Sequence, residues 1–256
     1  EWGHDFRPAY RRLGIVRLAL RRPPTLALTA TATPAVREDI TQVLRLGDVE
    51  RIVGSFDRPN LHFAATRVRD DEERRRRLLA LLRPYRGAAV VYVPTRNGAE
   101  RWTRSLWQAG VRAAPYHAGL EHAVRRAVQH EFLLDRLDCV VATSAFGMGI
   151  DKANVRTVVH LGLSTSLEAY YQEAGRAGRD GRRGHCEVLW TLGDLALQRR
   201  IVPDAAKLDP LIRYLSGVGC RRERLLRHFG EPPRRCAGCD RCERWRRWRR
   251  ALGRAA

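Results

Sequence analysis

A parallel α/β sheet covered by helices on both faces, followed by a small helical, cysteine-rich tail, is the fold this sequence predicts. Three observations carry it. Short apolar runs recur between amphipathic stretches from Ala88 to Trp190. From about Leu195 the pattern becomes purely helical. Cysteines at tight spacing then follow, at Cys236, Cys239 and Cys242. Strands buried on both faces read as continuous apolar runs, and alternation with helices makes them parallel neighbours.

The elements follow in order. The first 24 residues mix aromatics and arginines, and Thr25–Thr29 reads as a short buried strand. Thr33-Pro34 opens a helix, with a capping hydroxyl before a proline at the first helical position. That helix carries Val36, Ile40, Val43 and Leu44 on one face and stops near Gly47. The turn-like segment Phe56-Asp57-Arg58-Pro59-Asn60 separates this opening piece from the rest. Asp70-Asp71-Glu72-Glu73 precedes four arginines, placing acid four residues before base, as a solvated, self-supporting helix does. Strands are expected at Ala88–Val93, Val111–Tyr116, Cys139–Ala142, Thr157–His160 and Cys186–Trp190. Helices are expected over Asn97–Gln108, Glu121–Leu134, Glu168–Gly175 and Arg221–Phe229.

Composition narrows the function classes. No apolar run approaches the roughly 20 residues needed to cross a bilayer, and no signal segment opens the chain. Neither a membrane partner nor export is expected, so the compartment expected is the cytoplasm, at the nucleoid if the source is bacterial. The chain holds 48 basic against 28 acidic residues, for a net charge of +20. Lys152 and Lys207 are its only lysines; every other basic residue is arginine, whose planar fork suits phosphate. The charge is concentrated: 13 arginines face four acids between Cys220 and the C-terminus. That imbalance suits a polyanionic partner, and an arginine-rich genome supplying arginine wherever a surface needs charge is the alternative that operates beside it.

Cys220, Cys236, Cys239 and Cys242 offer four thiolates around one predicted helix. Such a set suits tetrahedral Zn²⁺ at about 2.3 Å per bond. Disulfides and unrelated buried thiols are the alternatives, and a chain without a secretory signal argues against disulfides. Cys139 and Cys186 lie inside apolar strands and read as core residues.

The segment Gln172-Glu173-Ala174-Gly175-Arg176-Ala177-Gly178-Arg179-Asp180-Gly181 places two arginines three apart near a helix end. Gln172 lies one turn before Arg176. Such a cluster can aim guanidinium groups at a phosphate, and it can equally be a solvated helix end. The sequence as a whole resembles the RecQ helicases of helicase superfamily 2. Trp2 to Pro8 is similar to the family's aromatic-rich loop, and Thr29-Ala30-Thr31-Ala32-Thr33 to its motif III. Val91 to Arg96 resembles motif IV, and Tyr116-His117-Ala118-Gly119-Leu120 the element after it. Val141-Ala142-Thr143 through Asp151-Lys152 resembles motif V, the arginine segment resembles motif VI, and the four cysteines match the family's zinc module.

The resemblance implies a fold and a set of roles. Residues 1–54 would end a first RecA-like lobe, 55–195 form the second, and 196–256 form a helical zinc-binding module. Arg176 and Arg179 would be arginine fingers on the ATP γ-phosphate, supported by Gln172. Gly149 and Asp151 would lie at the nucleotide, with Asp151 near the ribose. Thr95, Arg96, His117, Gly119 and Thr143 would line a single-strand track. Trp2, Phe6 and Arg7 would sense DNA and couple it to hydrolysis. The partners implied are ATP with Mg²⁺ and DNA, single-stranded or at duplex junctions, for 3′–5′ unwinding in recombination and repair.

Two parts of the family pattern are absent. Neither Asp151-Lys152-Ala153 nor Ala206-Lys207-Leu208 is a phosphate-cradling Gly-Lys-Ser/Thr loop. The Asp-Glu pair Asp71-Glu72 lies in a charged helix, not in an Asp-Glu-x-His box. The chain is therefore expected to begin just after the Mg²⁺-binding acids, to hold half an ATP site, and to be inactive alone. An RNA helicase of the same superfamily and a non-catalytic, zinc-containing nucleic-acid-binding protein remain alternatives. The cysteine cluster and the opening aromatic loop favour the DNA branch over the RNA one.

Overall fold

The computed structural model describes residues 12–83, 87–147, 151–202 and 204–252. Trp2, Phe6, Arg7 and Gly149, all assigned roles above, lie outside the described residues. The chain forms two compact units: one joins the residues up to Asp57 with Leu226–Pro233, and the other comprises Arg58–Leu225 with Arg234 onward.

The smaller unit contains α1 (Leu13–Ala19) and α2 (Pro34–Val43). Thr33 caps α2 as expected, its hydroxyl accepting from the Val36 amide at 3.4 Å. Gly14 is buried against the Val43 carbonyl, where a side chain would collide. Phe56 stacks on Phe229 with ring centroids 4.4 Å apart, and Arg37 donates to the Phe229 carbonyl at 3.1 Å. The strand expected at Thr25–Thr29 does not form, and Leu26 and Leu28 are 82% and 84% exposed. The unit offers no second strand among its described residues, so an apolar segment there has no ladder to join.

The larger unit is a six-stranded, wholly parallel sheet in the order β1-β6-β5-β2-β4-β3. Its strands are β1 (Leu61–Arg67), β2 (Ala88–Tyr92), β3 (Ala113–Tyr116), β4 (Cys139–Ala142), β5 (Val155–Leu161) and β6 (Gly184–Trp190). The helices between them are α3 (Asp71–Leu82), α4 (Arg96–Gln108), α5 (His122–Leu133) and α6 (Leu167–Ala174). Alternate residues of each strand enter two separate cores. Val90, Tyr92, Val140, Val158 and Val188 face one, with Tyr170 of α6. Val91, Val141, Val159 and Leu189 face the other, with Leu78 of α3 and Trp102 of α4. Burial on both faces is why these strands are apolar at nearly every position.

Four further helices follow: α7 (Leu192–Ile201), α8 (Ala205–Ser216), α9 (Arg221–His228) and α10 (Asp240–Leu252). The start of α9 and the segment leading into α10 lie against the β1 edge of the sheet. Cys239 makes an isolated parallel bridge with Phe63 of β1. Arg221 donates to the Ala65 carbonyl at 3.0 Å, and Arg222 to the Leu61 carbonyl at 2.5 Å. An uncovered edge strand presents unpaired amides and carbonyls to any other strand, so this tail protects β1. The opposite edge is β3, four residues long and interrupted by Pro115, which cannot donate to a ladder.

The charged helix α3 differs from expectation. Of the four spaced pairs, Glu73–Arg77 forms, at 3.2 Å. Asp70 is instead the N-cap, accepting from the Glu73 amide at 2.8 Å. Arg74 is buried and bridges Asp71, at 2.8 Å, to Asp194 in the first turn of α7. This helix is therefore not a wholly solvated surface: one of its arginines ties α3 to α7.

Candidate functional site

The residues expected to line a nucleic-acid track converge on one edge of the sheet. Thr95 follows β2, His117 follows β3 and Thr143 follows β4, so all three sit at the carboxyl ends of adjacent parallel strands. Connections run in opposite directions from β2 and β5, and ligands of open α/β sheets occupy the crevice at such a reversal. Thr95 is exposed and caps α4 through the Gly98 amide at 3.0 Å, leaving Arg96 exposed at the first helical position. His117 is buried, with Nε2 at 3.0 Å from Glu100 and Nδ1 without a partner among the described residues. Gly119 lets these groups close up: a Cβ there would lie 3.1 Å from Arg96 and 3.2 Å from His117 Nδ1. Thr143 donates its amide to the Tyr116 carbonyl at 3.1 Å, tying the ends of β3 and β4 together.

The arginine segment forms a tight turn after α6, and its backbone is held by residues the sequence did not single out. Arg58 donates to the carbonyls of Gly175, Ala177 and Gly178 at 3.2, 3.0 and 2.9 Å. Asn60 donates to Gly178 and Arg182, both at 2.8 Å. Gly178 adopts φ +55° and packs so closely on Asn60 and the Arg182 carbonyl that no side chain fits. Asp180 receives both terminal nitrogens of Arg156, which holds its carboxyl below the usual carboxylate range.

From this anchored turn the two arginines diverge. Arg179 is one-third exposed and pairs with Asp151 at 2.7 Å. Arg176 lies against Gly147, its Nη2 2.9 Å from where a Cβ would stand, and interacts with the Tyr92 hydroxyl. Burial pushes the Tyr92 hydroxyl well above its ordinary pKa, so it stays neutral beside the guanidinium. Nε and Nη1 of Arg176 are buried without a partner among the described residues. Buried guanidinium donors in that state favour an anion acceptor. Arg176 and Arg179 line one narrow cleft with Phe146, Lys152 and Val155. Gln172 lies on the exposed side of α6. Lys152 is buried and spoken for, donating to Asp135 at 2.8 Å and to the Leu133 carbonyl at 3.2 Å at the end of α5.

The four tail cysteines converge, with all sulfurs within 4.8 Å of one another and Cys220 and Cys239 at 4.0 Å. Four sulfurs around one tetrahedral zinc lie about 3.8 Å apart, as Zn–S bonds of about 2.3 Å require. The backbone is arranged for negative sulfur. Glu223 donates its amide to Cys220 Sγ at 3.5 Å, and Cys242 donates to Cys239 Sγ at 3.4 Å. Hydrogen bonds from its neighbours hold Cys239 well below the ordinary thiol range. The donor set and spacing fit zinc. Cys139 and Cys186 are buried in their strands, and desolvation keeps them protonated, with Cys186 pushed up to about 12.

A buried ion pair fastens this cluster to the sheet. Arg221, 1% exposed, holds Asp240 through Nε at 2.6 Å and Nη2 at 2.8 Å, and also donates to the Tyr214 carbonyl. Arg222 is equally buried and donates to the Arg58 carbonyl at 2.8 Å. Neither arginine is distinguishable in sequence from its many neighbours. The one available signal was position: Arg221-Arg222 directly follow Cys220, and Asp240 sits between Cys239 and Cys242.

A parallel sheet with anchored arginines on a turn and polar groups at its carboxyl edge defines a RecA-like helicase domain. A family model described as helicase conserved C-terminal domain matches residues 73–181. The solved structure of Saccharomyces cerevisiae Dbp5 bound to RNA and ADP BeF3 shares the fold. It has a TM-score of 0.55 and 19% identity, over 74% of this chain and 52% of that one. A second model, described as RecQ zinc-binding, matches residues 194–243.

Among curated proteins, the chain is 40% identical to the ATP-dependent DNA helicase RecQ of Haemophilus influenzae, over 94% of this chain and 40% of that protein. It is 40% identical to its Bacillus subtilis counterpart over 93% of this chain and 42% of that protein. It is 38% identical to the mouse bifunctional 3'-5' exonuclease/ATP-dependent helicase WRN over 90% of this chain and 17% of that protein. The chain belongs to the RecQ helicase family and spans less than half the length of these relatives.

Proposed function

We propose that this chain is the rear lobe and zinc module of an ATP-dependent, 3′–5′ DNA helicase acting in recombination and repair. The carrying observation is Arg176, whose buried Nε and Nη1 have no acceptor among the described residues, on a turn clamped by Arg58 and Asn60. A front lobe contributes the phosphate loop and the Mg²⁺-binding acids. Arg176 and Arg179 then reach the γ-phosphate and stabilise the charge that spreads over its oxygens during transfer. Asp151 holds Arg179 until nucleotide arrives and is then free to turn toward the ribose, and Gly149 is assigned to the nucleotide as well. Gln172 supports the pair from the preceding turn.

DNA passes over the carboxyl ends of β2, β3 and β4. There Thr95, Arg96 and Thr143 hold phosphates, and the close packing at Gly119 fixes His117 beside them. Trp2, Phe6 and Arg7 report bound DNA to the nucleotide cleft. The Tyr92 hydroxyl donates to the Phe146 carbonyl at 2.8 Å and also meets Arg176, so one side chain touches both the motif V loop and an arginine finger. Zinc fastens the tail over the β1 edge, a structural rather than a catalytic role. The test is ATP turnover by the chain joined to its front lobe. DNA-stimulated hydrolysis is expected there, and none from the 256 residues alone.

A further inference from the structure

The helix behind the cysteines carries a surface that the motor does not use. Residues 244–250 of α10 read Arg-Trp-Arg-Arg-Trp-Arg-Arg, and every one is exposed. Trp245 and Trp248 are 56% and 60% exposed, unusual for the largest apolar side chain. Arg241, Arg244, Trp245 and Trp248 recur at helical spacing and share one face. The Arg249 guanidinium lies 4.7 Å from the Trp245 ring centroid, holding that ring in place by cation–π attraction. The acids of the helix lie in its first turn, where Asp240 is held by Arg221 and the partly exposed Glu243 lies 3.2 Å from His62. From Arg244 onward the helix offers two exposed aromatic rings among arginines that form no ion pair among the described residues.

We propose that this outer face of α10 binds single-stranded nucleic acid, with unpaired bases stacking on Trp245 and Trp248 and arginines taking the adjoining phosphates. Rings beside fixed positive charge match a polyanion that also offers flat π-faces. A membrane-surface helix needs a broad apolar stripe, and between residues 244 and 250 this one has only two rings and no aliphatic residue. The site is separate from the motor track. It lies beside β1, at one edge of the sheet, whereas the track crosses β2, β4 and β3 at the other side. It requires neither ATP nor a front lobe.

The test is a fluorescence titration of the zinc-loaded chain with labelled oligothymidylate and a duplex of equal length, at several salt concentrations. W245A/W248A is expected to lose about tenfold or more in single-strand affinity, with the salt slope unchanged and duplex binding unaffected. R244Q/R249Q is expected to flatten the salt slope by about 1.4, from about 0.7 per phosphate contact. Both tryptophans are exposed, so zinc content and thermal unfolding should match the parent and exclude misfolding. Unchanged single-strand affinity in W245A/W248A, or an equal loss on duplex, overturns the proposal. So does tryptophan emission that responds to anionic phosphatidylglycerol vesicles and not to the oligonucleotide. H117A/T143V tests the track separately, because distant sites add, so either surface can fail without the other.

Discussion

Replacing Asp240 by Asn isolates the link between the cysteine cluster and the sheet. Arg221 is almost fully buried, and Asp240 is its one anionic partner among the described residues. The remaining Arg221 acceptors are the carbonyls of Ala65, Tyr214 and Leu215, all neutral. Removing one member of a buried pair costs about 3–5 kcal/mol, because the other charge stays behind. The Asp240 side chain is 29% exposed, so the lower end applies, about 3 kcal/mol. For a unit of this size, about 2–4 °C per kcal/mol gives a fall in Tm of about 6–12 °C. Circular dichroism on zinc-saturated protein measures it. Arg221→Met with Asp240→Leu should recover most of the loss, since removing both charges removes the penalty. A Tm within about 2 °C of the parent for Asp240→Asn would refute the reasoning.

The same structure makes other expectations concrete. Elemental analysis should find one zinc per chain, and chelation should unfold α9 and α10 rather than merely empty a site. The β1 edge then loses its cover, so light scattering should rise with chelator; a clear, monomeric chelated sample would contradict the edge-sealing role. Arg58→Ala removes three hydrogen bonds from the arginine turn. It should therefore lower ATP turnover in the joined protein more than tenfold while preserving zinc content, and unchanged turnover would show that the turn holds itself. Single-strand affinity of the chain alone should fall with log salt at about −0.7 per phosphate contact, and a flat profile would make the arginine excess decorative.

How far these features were legible depended on how local their physics is. The apolar runs at Ala88–Val93 and Cys139–Ala142 announced buried parallel strands because both faces of each strand are covered. β1 escaped notice because His62, Thr66 and Arg67 break its apolar run: it is the edge strand, and its polar residues meet the tail and β6. Thr25–Thr29 misled for the opposite reason, since apolar composition cannot reveal whether a pairing partner exists. The cysteines were readable because metal ligation fixes their spacing. Motif resemblance marked Arg176 and Arg179, but Arg58, which holds their turn across more than a hundred residues, looked like part of a loop. In a chain this rich in arginine, residue type alone cannot separate Arg74, Arg221 and Arg222, which are buried and paired, from arginines that face solvent.

The central claim is that this lobe carries the arginine finger of a two-lobe ATP site. Its most direct test is Arg176→Ala in the chain joined to its front lobe, measuring DNA-stimulated ATP turnover alongside nucleotide binding. The account predicts a fall of about 10³-fold or more in turnover with ATP affinity largely retained. Turnover at the parent rate would contradict it and return Arg176 to the surface of an ordinary helix end.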